Sequence, residues 1–321
     1  MKKSLSLILA LCLVIGSCVG LSSCSKDDGK FEVGICQLVQ HPALDAATNG
    51  FMETLKEEFG DNITFYNENA NNEPAVCTTI VTNFVSKKVD LIMANATPAL
   101  TAAVSGTSSI PILGTSITEY GVALGIDDFS GLVGGNVSGT SDLADLKAQA
   151  EMITELFPEA KTVAMLYCSA EANSAYQVKK VKEFLEAKNI TVIDKSFADS
   201  NDVNAVAAAA AAEADVIYIP TDNTAAECAT AINGVIGDTP VIAGESGICS
   251  GCGVATLSID YYDLGVATAK MAIKILKGEA NIEEMPVEYT ANFAKKYNKD
   301  KCAQLGIDVA ALEAKGYTAI D

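Results

Sequence analysis

From residue 31 onward, short apolar runs alternate with longer stretches whose apolar positions recur at helical spacing. Runs at residues 33–39, 63–66, 89–96 and 110–113 show little polar alternation, as suits strands buried on both faces of a parallel sheet. Between them, residues 43–59, 74–86 and 98–105 predict helices, with Pro74 and Pro98 in first turns. A Gly-rich passage, 131–141, contains another short strand and leads into a helix over 142–156. The pattern then restarts. Strands are predicted at 162–168, 190–197, 215–220 and 240–244, and helices at 173–187, 202–213 and 224–233. The run of alanines from Ala207 to Ala212 reads as a close-packed helix. A further strand at 254–260, a helix over 261–277 ended by Gly278, and one or two helices in 298–321 complete the chain.

The restart is an internal repeat. Val33-Gly-Ile-Cys matches Val163-Ala-Met-Leu, Asp90-Leu-Ile-Met matches Asp215-Val-Ile-Tyr, and Ile110-Pro-Ile-Leu-Gly matches Thr239-Pro-Val-Ile-Ala-Gly, at offsets of about 125–130 residues. Two copies of alternating β and α units predict an α/β fold of two doubly wound parallel-sheet lobes. Three crossings join them, near Ser141, near Ile259 and at 286–289. The expected lobes are 31–141 with 260–285, and 142–259 with 286–321.

Ligands of open α/β sheets bind beyond the carboxyl ends of strands. The residues at those ends are therefore the candidates. Asp222, with Thr221 beside it, is read either as the acceptor for a ligand ammonium or as a helix N-cap, with Asn223 favoured as the cap. Glu245 and Ser246 stand at the next strand end. Glu245 is read as a second ammonium acceptor or as a residue that orients its neighbours. Asn173 and Ser174 open a helix, where free N–H groups and short polar side chains suit a carboxylate. Thr97 offers the same chemistry in the other half, with Ser116 and Thr118 behind it. His41 is read as structural or as a ligand contact. Tyr261 and Tyr262 either wall an aromatic pocket or divide into one buried and one exposed ring.

Composition narrows the chemistry. The net charge of −19 leaves no basic patch for nucleic acid. All 22 basic residues are Lys, so no guanidinium clamp exists for a ligand carboxylate. One His excludes a multi-histidine metal centre. No cofactor or metal is expected. There is no Gly-x-Ser-x-Gly and no phosphate-binding glycine loop, which argues against an enzyme.

The first residues read as an export signal: Met1-Lys2-Lys3, an apolar run to Val19, then Leu21-Ser-Ser-Cys24. The last four resemble a bacterial lipobox. The expectation is a signal over 1–23, lipidation at Cys24, and a tether over 24–30. Of the ten Cys, only Cys249 and Cys252 lie close in sequence. With no second such pair and a single His, they are read as an inert turn carrying two thiols.

Seven segments together carry a resemblance over nearly all of the chain beyond the tether. They are Gln37-Leu-Val-Gln-His-Pro-Ala-Leu-Asp45, Ala96-Thr-Pro98, Gly139-Thr-Ser-Asp142, Glu171-Ala-Asn-Ser174, Pro220-Thr-Asp-Asn223, Ala243-Gly-Glu-Ser246 and Ile259-Asp-Tyr-Tyr-Asp-Leu-Gly265. In that order they resemble the ABC-transporter substrate-binding lipoproteins of the tryptophan/tyrosine-uptake type. The resemblance implies a type I periplasmic-binding fold that closes by hinge motion on a small zwitterion, an aromatic amino acid. It also implies an ABC permease and its ATPase as partners, a lipid-anchored extracytoplasmic location, and a monomer. Gln40, Glu245 and the segment Ser116-Ile-Thr-Glu-Tyr120 depart from the family's usual residues. Another amino acid, a purine nucleoside, or a sensory role stay open on sequence.

Overall fold

The computed structural model describes residues 29–290 and 292–320. The expected signal, Cys24 and most of the tether lie outside them.

The first sheet forms from β1 (Phe31–Gln37), β2 (Ile63–Asn69), β3 (Leu91–Asn95), β4 (Ile112–Ile117) and β5 (Val137–Ser141). Its helices are α1 (Pro42–Phe59), α2 (Pro74–Lys87), α3 (Thr97–Gly106) and the short α4 (Tyr120–Leu124). The second half follows as α5 (Leu146–Leu156), β6 (Thr162–Cys168), α6 (Ala172–Glu186), β7 (Thr191–Phe197) and α7 (Val203–Glu213). It continues through β8 (Val216–Ile219), α8 (Asn223–Glu227), α9 (Ala229–Asn233), β9 (Val241–Ala243), α10 (Ser246–Cys252) and β10 (Ala255–Ser258). Then come α11 (Tyr261–Leu276), β11 (Glu288–Tyr289), β12 (Ala294–Tyr297), α12 (Lys299–Gln304), α13 (Val309–Ala314) and β13 (Thr318–Ala319).

The strand orders are β2-β1-β3-β4-β5-β11 and β7-β6-β8-β9-β10-β12-β13. The first five strands of each sheet run in the same order and all in parallel. The repeat read in sequence is thus a repeat of topology. Central strands are buried along their whole length, as continuous apolar runs require: β3 and β8 contain no exposed residue.

Each sheet has helices on both faces, and so two cores. In the first lobe, Ile80, Val81 and Phe84 of α2 pack with Ala99 and Leu100 of α3 on one face. Phe51 and Leu55 of α1 pack with Ala269 and Met271 of α11 on the other. The axes of α1 and α11 approach closely because Gly50 and Gly265 carry no side chain. A Cβ at Gly265 would run into the Ala47 carbonyl, and one at Gly50 into the Tyr262 carbonyl. In the second lobe α5 and α6 cover one face, and α7 to α10 the other. Ala207 and Ala210 of the alanine run are buried there.

Some boundaries differ from expectation. Residues 286–289 were expected in the second lobe, but Glu288–Tyr289 pairs with β5, and the Ser138 hydroxyl donates to the Met285 carbonyl at 2.9 Å. Backbone pairing at the sheet edge holds this stretch with the first lobe. The helix expected over 224–233 breaks at Cys228 into α8 and α9. Cys249 and Cys252 lie in helix α10, not in a turn. Two glycines there hide the helix in sequence, while Glu245 caps it and Ile248 buries it. The tail adds two strands, β12 and β13, to its helices, with β12 antiparallel to β10.

Candidate functional site

The strand ends of the two sheets face each other across a polar cavity. Its lining includes His41, Leu44, Ser116 and Thr118 from the first lobe, and Asn173, Thr221, Asp222, Asn223, Ala226 and Glu245 from the second. Asp142 and Tyr261, at two of the crossings, complete it. The cavity measures about 20 Å3, room for about one water, so the walls are drawn together. Bonds across the cleft hold them. His41 Nε2 meets Asn223 Oδ1 at 3.3 Å, and Asn72 Nδ2 donates to Thr224 Oγ1 at 3.1 Å. The hydroxyls of Thr118 and Thr221 lie 3.5 Å apart.

On the second lobe's wall, polar atoms are heavily engaged. Asp222, not Asn223, is the N-cap of α8. Its Oδ1 accepts from Ala225 N at 2.8 Å and its Oδ2 from Cys168 N at 2.7 Å. Burial pushes its carboxyl up to about 8, the charge of Glu171 adds to this, and the two N–H groups pull against it. Glu245 caps α10 in the same way, accepting from Gly247 N and Ile248 N. Burial raises its carboxyl too, opposed by His41 and by those N–H groups.

Sequence reasoning passed over two supports of this wall. Glu171 Oε2 accepts from the backbone and side-chain nitrogens of Asn223, at 2.9 and 2.7 Å. Its Oε1 accepts from Thr224 N and Oγ1, at 2.9 and 2.8 Å. Gln177 clamps Thr221: it receives the Thr221 hydroxyl at 2.8 Å and donates to the Thr221 carbonyl at 3.2 Å. Ser174, fully buried, points its hydroxyl at that same carbonyl, 3.5 Å away, and does not line the cavity. Ser246 also lies outside the lining.

The first lobe's wall is strained and open. Ser116 sits at φ 55° where the pairing of β4 with β5 shifts register, and Ala96 at φ 86° turns β3 into α3. Left-handed backbone in non-Gly residues costs about 1–3 kcal/mol and clusters at functional sites. Thr97 lies in a neighbouring groove of about 350 Å3 with Pro74, Pro98 and Glu171, and Asn173 borders both spaces. Of the tyrosine pair, Tyr261 is buried and Tyr262 is 40% exposed.

Nine buried side-chain polar atoms lack a hydrogen-bond partner among the described residues, and four of them belong to this lining. They are His41 Nδ1, Ser116 Oγ, Asp142 Oδ1 and Asn173 Oδ1. Unpaired buried groups are rare in folded proteins, so their concentration here marks a place prepared for a polar guest.

Two doubly wound lobes, three crossings and a polar cavity between strand ends define a cleft receptor of the periplasmic-binding-protein kind. The family model for ABC transporter substrate binding proteins matches residues 32–312, and the chain belongs to that family. Over 305 residues it is 35% identical to a tyrosine-binding protein of Clostridioides difficile (strain R20291), covering 89% of this chain and 87% of that one. It is 29% identical to a Streptococcus pneumonia ABC domain solved in complex with L-Trp, at a TM-score of 0.85 over 90% of this chain and 99% of that one. A ligand-free, open substrate-binding protein with adhesive properties from Clostridium difficile is 35% identical, covering 91% and 99%. Its TM-score is lower, 0.69. A better match to the complex, despite lower identity, agrees with lobes drawn together here. Members of this family are extracytoplasmic receptors of importers. No described helix is long and apolar enough to cross a membrane.

Proposed function

We propose that this chain is the lipid-anchored receptor of an aromatic amino-acid importer, with tyrosine or tryptophan as its ligand. The observation that carries this reading is the lining of the cleft. Three buried acids, Asp142, Asp222 and Glu245, gather round one cavity with no Lys among its lining residues. Such a lining selects a ligand that brings its own cation. The ligand carboxylate falls to neutral donors: the Thr118 hydroxyl and the first-turn N–H groups of α1 that follow Pro42, which helical bonding leaves unpaired. Tyr261, Leu44 and Ala226 supply apolar contact. The tyrosine and tryptophan bound by relatives support the same ligand class.

Closure of the lobes carries the message. The ligand binds between them, its contacts with both walls stabilise the closed form, and a permease with its ATPase reads that form. In this reading the ligand is released to the permease unchanged. Cys24 takes the lipid after removal of residues 1–23, and the stretch 24–30 is the tether. Cys24→Ser is expected to leave an unlipidated precursor; normal processing and anchoring of that variant would contradict the anchor.

The test of the ligand is calorimetric titration of the purified protein with L-tyrosine, L-tryptophan and adenosine, alongside mass spectrometry of any co-purified ligand. Saturable binding of an aromatic amino acid and none of the nucleoside is expected. Binding of the nucleoside alone would overturn the reading.

A further inference from the structure

We propose that Asp142, on the crossing between β5 and α5, is the receptor for the ligand's ammonium group, and that the hinge itself therefore reads the ligand. This rests on the amino-acid reading above and decides among its three acids.

The three acids differ in the donors they already hold. Both oxygens of Asp222 are taken by backbone N–H groups, and so are both oxygens of Glu245. Each of these acids caps the helix that follows it and has no oxygen left without a donor. Asp142 differs. Its Oδ2 accepts one bond, from the Tyr261 hydroxyl at 2.8 Å. Its Oδ1 is buried and meets no donor in hydrogen-bonding geometry, although the Thr118 hydroxyl lies close enough to ease its charge. The residue is only 5% exposed. Burial raises its carboxyl above the ordinary range and Glu245 adds to this, with Tyr261, Thr118 and its own backbone N–H opposing. A buried carboxylate without a cation is costly unless a partner arrives.

An ammonium carries three donors, and the cavity offers acceptors to match. Ser116 Oγ and Asn173 Oδ1 are unpartnered and line the same space. His41 Nδ1 also lacks a partner there. Asn223 donates its Nδ2 to Glu171 at 2.7 Å, so its Oδ1 is an acceptor and His41 Nε2 donates to it.

Position adds the coupling. Asp142 directly follows β5, and Tyr261 opens α11 just after β10. Their bond joins the first and second crossings. A group at the pivot moves least as the lobes part, so Asp142 stays accessible in the open form and takes the ammonium before the walls close over it.

The experiment is calorimetric titration of the full chain, solubilised in detergent, with L-tyrosine, L-tryptophan and the desamino analogue 3-(4-hydroxyphenyl)propanoate. Asp142→Asn keeps an acceptor for Tyr261 and removes the charge. It is expected to weaken binding of either amino acid by about a hundredfold or more, as truncating one partner of a buried charge pair does. The analogue should bind wild type weakly and be no weaker on Asp142→Asn. Asp222→Asn should weaken the amino acids by less than about tenfold. Melting curves establish that the variants fold, and Asp142→Ser serves if the Asn variant does not. Wild type binding an amino acid while the Asp142 variants bind it within about threefold would overturn the assignment alone. Equal losses for amino acid and analogue would also overturn it. Wild type binding neither amino acid would overturn the ligand reading and this assignment together.

Discussion

On the second lobe's wall, the carboxylates of Asp222, Glu245 and Glu171 each receive at least two donors; on the first lobe's, His41 and Ser116 each hold a polar atom that meets none. The second wall is finished before any ligand arrives. Its acids cap helices and tie strand ends to helix starts, and Gln177 and Glu171 hold Thr221, Asn223 and Thr224 in place. The first wall stores strain at Ala96 and Ser116 and leaves atoms unsatisfied. The contrast separates two uses of polar groups: those that hold the lobe together and those kept for something else. Asn173 Oδ1 is the second lobe's exception, and Asp142 at the crossing belongs with the open set.

Damage to the second wall is expected to fall on stability. Glu171→Ala strands the donors of Asn223 and Thr224 and is expected to lower unfolding free energy by about 3 kcal/mol in urea titrations. A loss under about 1 kcal/mol would mean that water replaces Glu171 without penalty.

The acids also predict the direction of a pH response. Asp142, Asp222 and Glu245 are all raised in the closed cleft, Asp222 to about 8, chiefly by burial. A carboxyl raised in one state favours that state while protonated. Their contribution to closure is therefore full below the ordinary carboxylate range and is lost as pH rises through the raised values. Ligand-free protein should show a smaller radius of gyration at about pH 5 than at about pH 8.5. The opposite trend in X-ray scattering would place these acids in water, not in a closing cleft.

The first wall should behave the other way. Ser116→Gly relieves a left-handed backbone and is expected to raise stability by about 0.5–1 kcal/mol while weakening ligand binding. A destabilised variant with unchanged affinity would move Ser116 to the structural set. The smallest effect belongs to the thiols behind the second wall. Burial pushes the Cys252 thiol up to about 12 and raises Cys249 well above its usual value, so neither is a ready nucleophile. Replacing both with Ser should leave affinity within about threefold; a tenfold loss would show that α10 depends on them.

The fold was legible because its signals are local. Apolar runs at 89–96 and 215–220 announce β3 and β8, and their repeat announces two lobes with one strand order. The strand ends were legible for the same reason: His41, Ser116, Thr118, Asn173, Thr221, Asp222, Asn223 and Glu245 all line the cavity. The division of labour among them was not. Whether Asp222 or Asn223 caps α8 depends on where Glu171 and Cys168 N sit, more than 50 residues away. Asp142 and Tyr261 come together from positions 119 residues apart, at crossings whose meeting no periodicity records. Ser174 and Ser246 share the composition of site residues, but helix packing turns them away from the cavity.

Small-angle scattering from the chain beginning at Ser25, with and without saturating L-tyrosine, tests the central claim that a zwitterion draws these two walls together. The radius of gyration is expected to fall on addition of L-tyrosine and to stay unchanged with 3-(4-hydroxyphenyl)propanoate at the same concentration. Calorimetrically verified binding of L-tyrosine with no change in the radius would contradict it.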